Sequence, residues 1–94
     1  MKIHSEIKTA THRFIVVETG GSRGGRLYGN FQNLRTVKLP IDSEYKHVRQ
    51  AGIEVIETWE VDSRNQGPKS NYGQTLKLMI EELAEHAYPT AKAA

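Results

Sequence analysis

One amphipathic pattern near the C-terminus most constrains what this chain can fold into. From residue 72 to residue 87, apolar side chains recur every three or four residues, and Pro89 follows. This spacing predicts a helix with one apolar face, and Asn71 and Gln74 form the capping-box pair typical of a helix start. The apolar positions are Tyr72, Leu76, Met79, Ile80, Leu83 and Ala87. Such a face has to be buried, so the rest of the chain should supply a surface for it.

The preceding residues carry the patterns of β-strands. HRFIVVET at residues 12–19 is rich in β-branched side chains and ends at a glycine pair, which predicts a strand. Residues 26–31 and 34–39 predict two further strands of a meander, and residues 1–8 predict an edge strand. IEVIETWEV at residues 53–61 also predicts a strand, with a continuous helix as the alternative.

A short helix is predicted before the last of these strands. Asp42 or Ser43 would cap it, and Gly52 after Gln50 would take the left-handed conformation at its end. The predicted order is (β)βββαβα, which describes an α+β fold with a single antiparallel sheet of about four strands and one or two helices packed on one face. Ninety-four residues fit one domain, with residues 88–94 as a disordered tail.

The core is predicted from one apolar face of each element. In the strand at residues 53–61, that face would hold Ile53, Val55, Trp59 and Val61. The core residues of the whole domain are expected to be Phe14, Val16, Val37, Leu39, Val55, Trp59, Leu76, Ile80 and Leu83.

The composition excludes several classes of function. The chain has no cysteine, which excludes disulfides, thiolate metal sites and a cysteine nucleophile. No stretch approaches the roughly 20 apolar residues of a membrane span, and the charged N-terminal residues differ from a secretory signal. His4, His12, His47 and His86 lie far apart and in no paired motif, so neither a metal site nor a cofactor is expected. We therefore expect a soluble cytoplasmic protein without a membrane partner.

Charge is distributed unequally along the chain. Residues 1–47 hold eight Lys and Arg against four carboxylates, whereas residues 48–94 hold five against seven. The basic half contains the segment GGSRGGRLYG at residues 20–29. This segment matches neither G-x-x-x-x-G-K-[ST] nor a G-x-G-x-x-G that opens a helix, which makes nucleotide binding of those types unexpected. It predicts either a mobile hairpin loop or a flexible basic finger that contacts a phosphate backbone.

The first functional hypothesis is a non-catalytic binding module that holds RNA or DNA on this loop and the adjacent strands. Lysine and arginine would contact phosphates, and a tyrosine would stack on a base. The predicted nucleic-acid-binding residues are Arg23, Arg26, Tyr28, Arg35, Lys38, Arg64 and Lys69. Binding that weakens steeply with salt would identify this function.

The alternative is a small inhibitor or adaptor that binds a host protein, of the kind encoded by phages and other mobile elements. Two acidic runs are either ordinary solvated side chains or a surface for a basic partner or for the arginine loop of a second copy. The runs comprise Glu54, Glu57, Glu60 and Asp62, then Glu81, Glu82 and Glu85. An exposed Trp59 would anchor such an interface. The complementary halves and the exposed sheet edges also favour a homodimer.

An enzymatic role is the third hypothesis. His12 and Glu18 would lie on one face of a strand, beside Arg13, as in the surface of a small ribonuclease. Polar residues on a solvated strand face explain the same pattern. Because the catalytic residue types are not clustered in the sequence, we expect no catalytic residues and place this role last.

Overall fold

The computed structural model describes residues 1–20 and 31–89. These residues form four strands and one helix: β1 (Lys2–Lys8), β2 (His12–Gly20), β3 (Phe31–Pro40), β4 (Glu54–Asp62) and α1 (Asn71–Ala87). The strands pair antiparallel in the spatial order β1-β2-β3-β4. The α+β class and the single four-stranded sheet are thus confirmed, while the order in the described residues is ββββα.

The helix packs on one face of this sheet. Alternate side chains of a strand point to opposite faces, and Phe14 and Val16 of β2 point toward α1. Leu83 of α1 is fully buried in the same cluster. The buried residues of this face are Phe14, Val16, Leu34, Val61, Tyr72, Met79, Leu83 and Ala87. Burial of each large apolar side chain stabilises the fold by about 1.5–3 kcal/mol.

The opposite face of the sheet is also apolar. Ile15 and Val17 of β2 are buried there with Val37, Leu39 and Tyr45. Tyr45 belongs to the connection between β3 and β4, so this connection covers part of the second face. The continuous run of buried residues from Phe14 to Val17 is typical of a strand that is buried on both faces.

The predicted helix between β3 and β4 is wrong. Residues 41–53 form turns and irregular structure instead. The Gln50 side chain accepts a hydrogen bond from the Lys46 backbone N–H at 2.7 Å and donates one to the Glu44 carbonyl at 2.8 Å. These bonds occupy backbone groups that a helix would use itself. Gly52 does take a left-handed conformation, with φ of 86°, but within a turn before β4.

The strands differ from the prediction in two places. Phe31–Pro40 forms one continuous strand, whereas two separate strands were predicted at residues 26–31 and 34–39. Residues 26–30 lie outside the described residues. At residues 53–61 the strand is confirmed over the helix. The pairing of β3 with β4 is irregular at one point, because Thr36 lies opposite Glu57 and Val37 lies opposite Val55. β4 therefore has one extra residue between these two pairs. Val55 therefore packs on the second face and Val61 on the helix face, which corrects the predicted single face.

The predicted helix start is one residue late. Ser70 is the N-cap, and its hydroxyl accepts a hydrogen bond from the Gly73 N–H at 3.0 Å. Gln74 instead donates its side-chain amide to the Lys69 carbonyl. This helix, the one present in the described ranges, is too short and too polar to cross a membrane.

Most of the predicted core is confirmed, and two residues are wrong. Phe14, Val16, Val37, Leu39 and Leu83 are buried, while Val55 and Leu76 are partly buried. Trp59 is 53% exposed and Ile80 is 37% exposed. Trp59 lies on β4, at the edge of the sheet, where the helix covers it incompletely.

Candidate interaction groove

An open apolar groove of about 250 Å³ lies between β4 and α1. Met79, which is buried, forms part of its lining, and the exposed side chains of Trp59 and Leu78 stand beside it. Leu78 is 56% exposed, similar to Trp59. We call this the Trp59 groove, and its lining residues are Glu57, Trp59, Thr75, Leu78, Met79 and Glu82. Exposed tryptophan and leucine side by side are typical of surfaces that bind other molecules.

The Trp59 indole is held in place by a polar contact. Glu57 and Trp59 are two residues apart on β4, so their side chains share a face of the strand. The indole Nε1–H donates a hydrogen bond to Glu57 Oε2 at 3.2 Å. The bond restrains the ring without burying it, so the tryptophan is presented to solvent in a defined orientation.

Acidic side chains surround the apolar part of the groove. Glu57 lies on the strand side and Glu82 on the helix side. Glu81 and Lys77 line a second depression that shares Leu78 with the Trp59 groove. Glu57 and Glu82 therefore place negative charge beside Trp59 and Leu78 in the groove, which favours a basic ligand.

Glu57 and Glu82 also belong to a cluster of possible metal ligands. One ligand atom each from Glu57, Glu82 and His86 lies within 4.8 Å of the other two. Of these three residues, Glu82 is exposed and the other two are partly buried. Sequence spacing shows only two of the three residues, because Glu82 and His86 are four residues apart on the helix while Glu57 comes from β4.

The predicted basic residues that are described do not share one face of the sheet. Arg35 donates to the Thr19 hydroxyl at 2.8 Å on the face opposite the helix, whereas the Lys38 ammonium lies 5.8 Å from the centroid of the Phe14 ring on the helix face. Arg64 forms an ion pair with Asp62. The hydrogen bonds and the charge of Arg64 hold the pKa of the Asp62 carboxyl below its ordinary value.

Lys69 is an exposed residue immediately before the helix N-cap. Three of the predicted residues, Arg23, Arg26 and Tyr28, lie outside the described residues. Of the four described candidates, Arg35 and Lys38 thus lie on opposite faces of the sheet, and a shared binding site stays a prediction.

A second polar cluster was missed by sequence reasoning. Glu18 Oε1 accepts a hydrogen bond from the Tyr72 hydroxyl at 2.5 Å and lies 2.7 Å from His4 Nε2. Burial, together with the hydrogen bond to Glu18 and its charge, raises the pKa of the Tyr72 hydroxyl well above its ordinary value. His12, the predicted partner of Glu18, is six residues away on the same strand, about 20 Å. The proposed ribonuclease-like pair is therefore not formed by these two residues.

Comparison with protein-family models, with curated proteins and with solved structures finds no match to this chain.

Proposed function

We propose that this chain is a non-catalytic protein-interaction module that receives a segment of a partner protein in the Trp59 groove. One observation carries the proposal: Trp59 and Leu78 are both more than half exposed beside the same groove. Tryptophan is among the residues that contribute most to binding energy at protein interfaces. The hydrogen bond from its indole to Glu57 supports the proposal, because a restrained anchor loses less conformational entropy on binding.

The charges around the groove specify the kind of partner. Glu57 and Glu82 line it, and Glu81 lies close by. A segment with one apolar or aromatic side chain flanked by lysine or arginine would complement both the apolar surface and the charge. We therefore propose a basic, partly apolar segment as the occupant.

A second copy of the chain, paired through the outer edge of β4, is a less suitable partner than a basic segment. In the described sheet β4 pairs only with β3, so its other edge has no described strand beside it. Two β4 edges placed together would bring acidic side chains such as Glu54, Glu57 and Glu60 close to one another, which is unfavourable. The predicted homodimer remains a separate prediction, which light scattering at micromolar concentration tests by the mass of the protein.

Selection from a phage-displayed library of random dodecapeptides tests the proposal. We expect the selected peptides to be enriched in lysine or arginine beside an aromatic or aliphatic residue. Their affinity for the Trp59→Ser variant should fall by about tenfold or more, since interface tryptophans are frequent hot spots.

The matched control is Val48→Ser, which removes an apolar side chain that is 40% exposed and lies outside the groove. Peptide affinity should be unchanged in this variant. Peptides without basic residues, or peptides that bind Trp59→Ser as tightly as the wild type, would contradict the proposed function.

The nucleic-acid hypothesis remains a prediction that rests mainly on the loop with Arg23 and Arg26. Fluorescence anisotropy with single-stranded and duplex oligonucleotides tests it. Replacement of both arginines by alanine should weaken binding and make the logarithmic salt slope shallower by about 1 to 2, one for each lost phosphate contact. If the wild type binds no oligonucleotide even near about 50 mM salt, this hypothesis is wrong.

A further inference from the structure

The last turns of α1 and the middle of β4 bring together one imidazole and two carboxylates. Glu82 and His86 are four residues apart on the helix, which places their side chains on the same side of it. Glu57 faces them from β4, and one ligand atom of each residue lies within 4.8 Å of the other two. Imidazole nitrogen and carboxylate oxygen are both common ligands of divalent transition metals.

Two atoms of this cluster are buried without a hydrogen-bond partner. In the part of the chain that the structure describes, three side chains have such an atom, namely Thr36 Oγ1, Glu57 Oε1 and His86 Nε2. Thr36 is the cross-strand neighbour of Glu57 in the sheet. Buried polar atoms are nearly always satisfied in folded proteins, so two unsatisfied atoms in one small cluster favour a ligand there.

The hydrogen bond from Trp59 orients the carboxylate of this cluster. The indole donates to Glu57 Oε2, which leaves Oε1 as the buried atom without a partner. Metal-binding carboxylates are commonly held in this way by an outer hydrogen-bond donor.

The surrounding charges favour a cation. Glu57 and Glu82 repel each other when both are ionised at this separation. His86 lies in the last turn of α1, where the negative end of the helix dipole favours a bound cation. A divalent cation would also offset the repulsion between the two carboxylates.

We propose that Glu57, Glu82 and His86 bind one divalent transition-metal ion, with Zn²⁺ as the best match to the ligand set. Zinc bonds to nitrogen and oxygen of about 2.0–2.2 Å place neighbouring tetrahedral ligands about 3.3 Å apart. The present spread of up to 4.8 Å therefore requires only a small inward adjustment of side chains, of which Glu82 is exposed and able to move. Three protein ligands leave a fourth position for water or for a group of a bound partner.

Calorimetric titration of the metal-free protein with ZnCl₂ tests this site, and Co²⁺ serves as a second probe through its visible absorption. We expect one equivalent of Zn²⁺ to bind the wild type. Glu82→Gln keeps the shape of an exposed side chain but removes its charge. It should weaken Zn²⁺ binding by about tenfold or more, because loss of a group that only supports a ligand already weakens metal binding by that much. The matched control is Glu81→Gln, which removes the same charge one position away and should bind as the wild type does.

Thermal unfolding supplies a second measurement. Zn²⁺ should raise the melting temperature of the wild type and of Glu81→Gln, because it binds only the folded chain, and it should raise that of Glu82→Gln less. His86→Gln should also weaken binding. If the His86→Gln variant fails to fold, Glu82→Gln keeps the test valid. Failure of the wild type to bind either ion at millimolar concentration, or full binding by both Glu82→Gln and His86→Gln, would overturn the proposal.

The proposed metal site shares Glu57 and Glu82 with the Trp59 groove, so a bound ion would reduce the negative charge that favours a basic segment. Peptide selection can fail while Zn²⁺ binding remains, and Zn²⁺ binding can fail while the peptides still require Trp59. The two outcomes are therefore distinguishable.

Discussion

Two histidine–glutamate clusters lie on the helix face of the sheet, at opposite ends of α1, and they differ in how completely their polar atoms are paired. At the N-terminal end, Glu18 is contacted by both Tyr72 and His4 at hydrogen-bond distance. At the C-terminal end, Glu57 Oε1 and His86 Nε2 are buried and have no such partner. Similar residue types thus form one complete network and one incomplete site.

The difference separates a structural role from a binding role. A buried carboxylate with two partners stabilises the fold and has little capacity left for a ligand. The Glu57 Oε1 and His86 Nε2 atoms lose hydration and gain no hydrogen bond in return, unless a further group completes the site. The two clusters should therefore respond in opposite ways to the loss of a polar group.

The largest expected effect comes from the apolar packing that supports both clusters. Leu83→Ala removes a fully buried side chain from the cluster that joins α1 to β2, and it should lower the free energy of unfolding by about 2–4 kcal/mol. Urea denaturation measures this. Leu78→Ala, at an exposed position, is the control and should cost less than about 0.5 kcal/mol. Equal effects at the two positions would mean that α1 is not docked through Leu83.

The next effect concerns the paired cluster alone. Tyr72→Phe removes the hydroxyl that donates to Glu18 and leaves a partly buried carboxylate with one partner fewer, so it should cost about 1–3 kcal/mol. The control is Tyr88→Phe, because the exposed Tyr88 hydroxyl donates to the Lys8 carbonyl at the surface and its loss should cost much less. Chemical denaturation of both variants makes the comparison, and a loss below about 0.5 kcal/mol at Tyr72 would remove the structural role of this network.

Sequence reasoning identified the elements of this fold better than it identified the contacts between them. Local patterns were sufficient for the helix that ends before Pro89 and for the strand around Phe14. The exposure of Trp59 could not be read locally, because it depends on β4 being the edge strand and on the extra residue opposite Thr36 and Val37. Local alternation alone cannot locate such a residue.

The two polar clusters show the same limit. The spacing of Glu82 and His86 was visible in the sequence, but the third residue, Glu57, comes from another element. Likewise, Tyr72 and Glu18 are 54 positions apart, so only the folded chain brings them together. Sequence spacing therefore indicated neither complete cluster.

A smaller effect should be visible in the pH dependence of the paired cluster. The raised pKa of Tyr72 means that the folded state retains its phenolic proton where the unfolded chain, with an ordinary tyrosine pKa of about 10, begins to lose it. The stability from this group is therefore fully present below about pH 10 and declines as the pH rises toward the folded value. The advantage of the wild type over Tyr72→Phe should shrink by about 1 kcal/mol one unit above pH 10. Urea denaturation of the wild type and Tyr72→Phe at about pH 10 and one unit above it measures this change. An unchanged difference in stability between the two proteins would contradict the prediction.

The smallest expected effect distinguishes the unpaired cluster most directly. Without metal, Glu82→Gln removes an exposed charge that repels Glu57, so the free energy of unfolding should change by less than about 0.5 kcal/mol or rise slightly. Denaturation in the presence of a chelator measures this change. With Zn²⁺ present the sign should reverse, since the wild type gains more stability from the bound ion than the variant does. A large loss of stability in the chelator would instead mean that Glu82 already has a structural partner, and the contrast between the two clusters would then disappear.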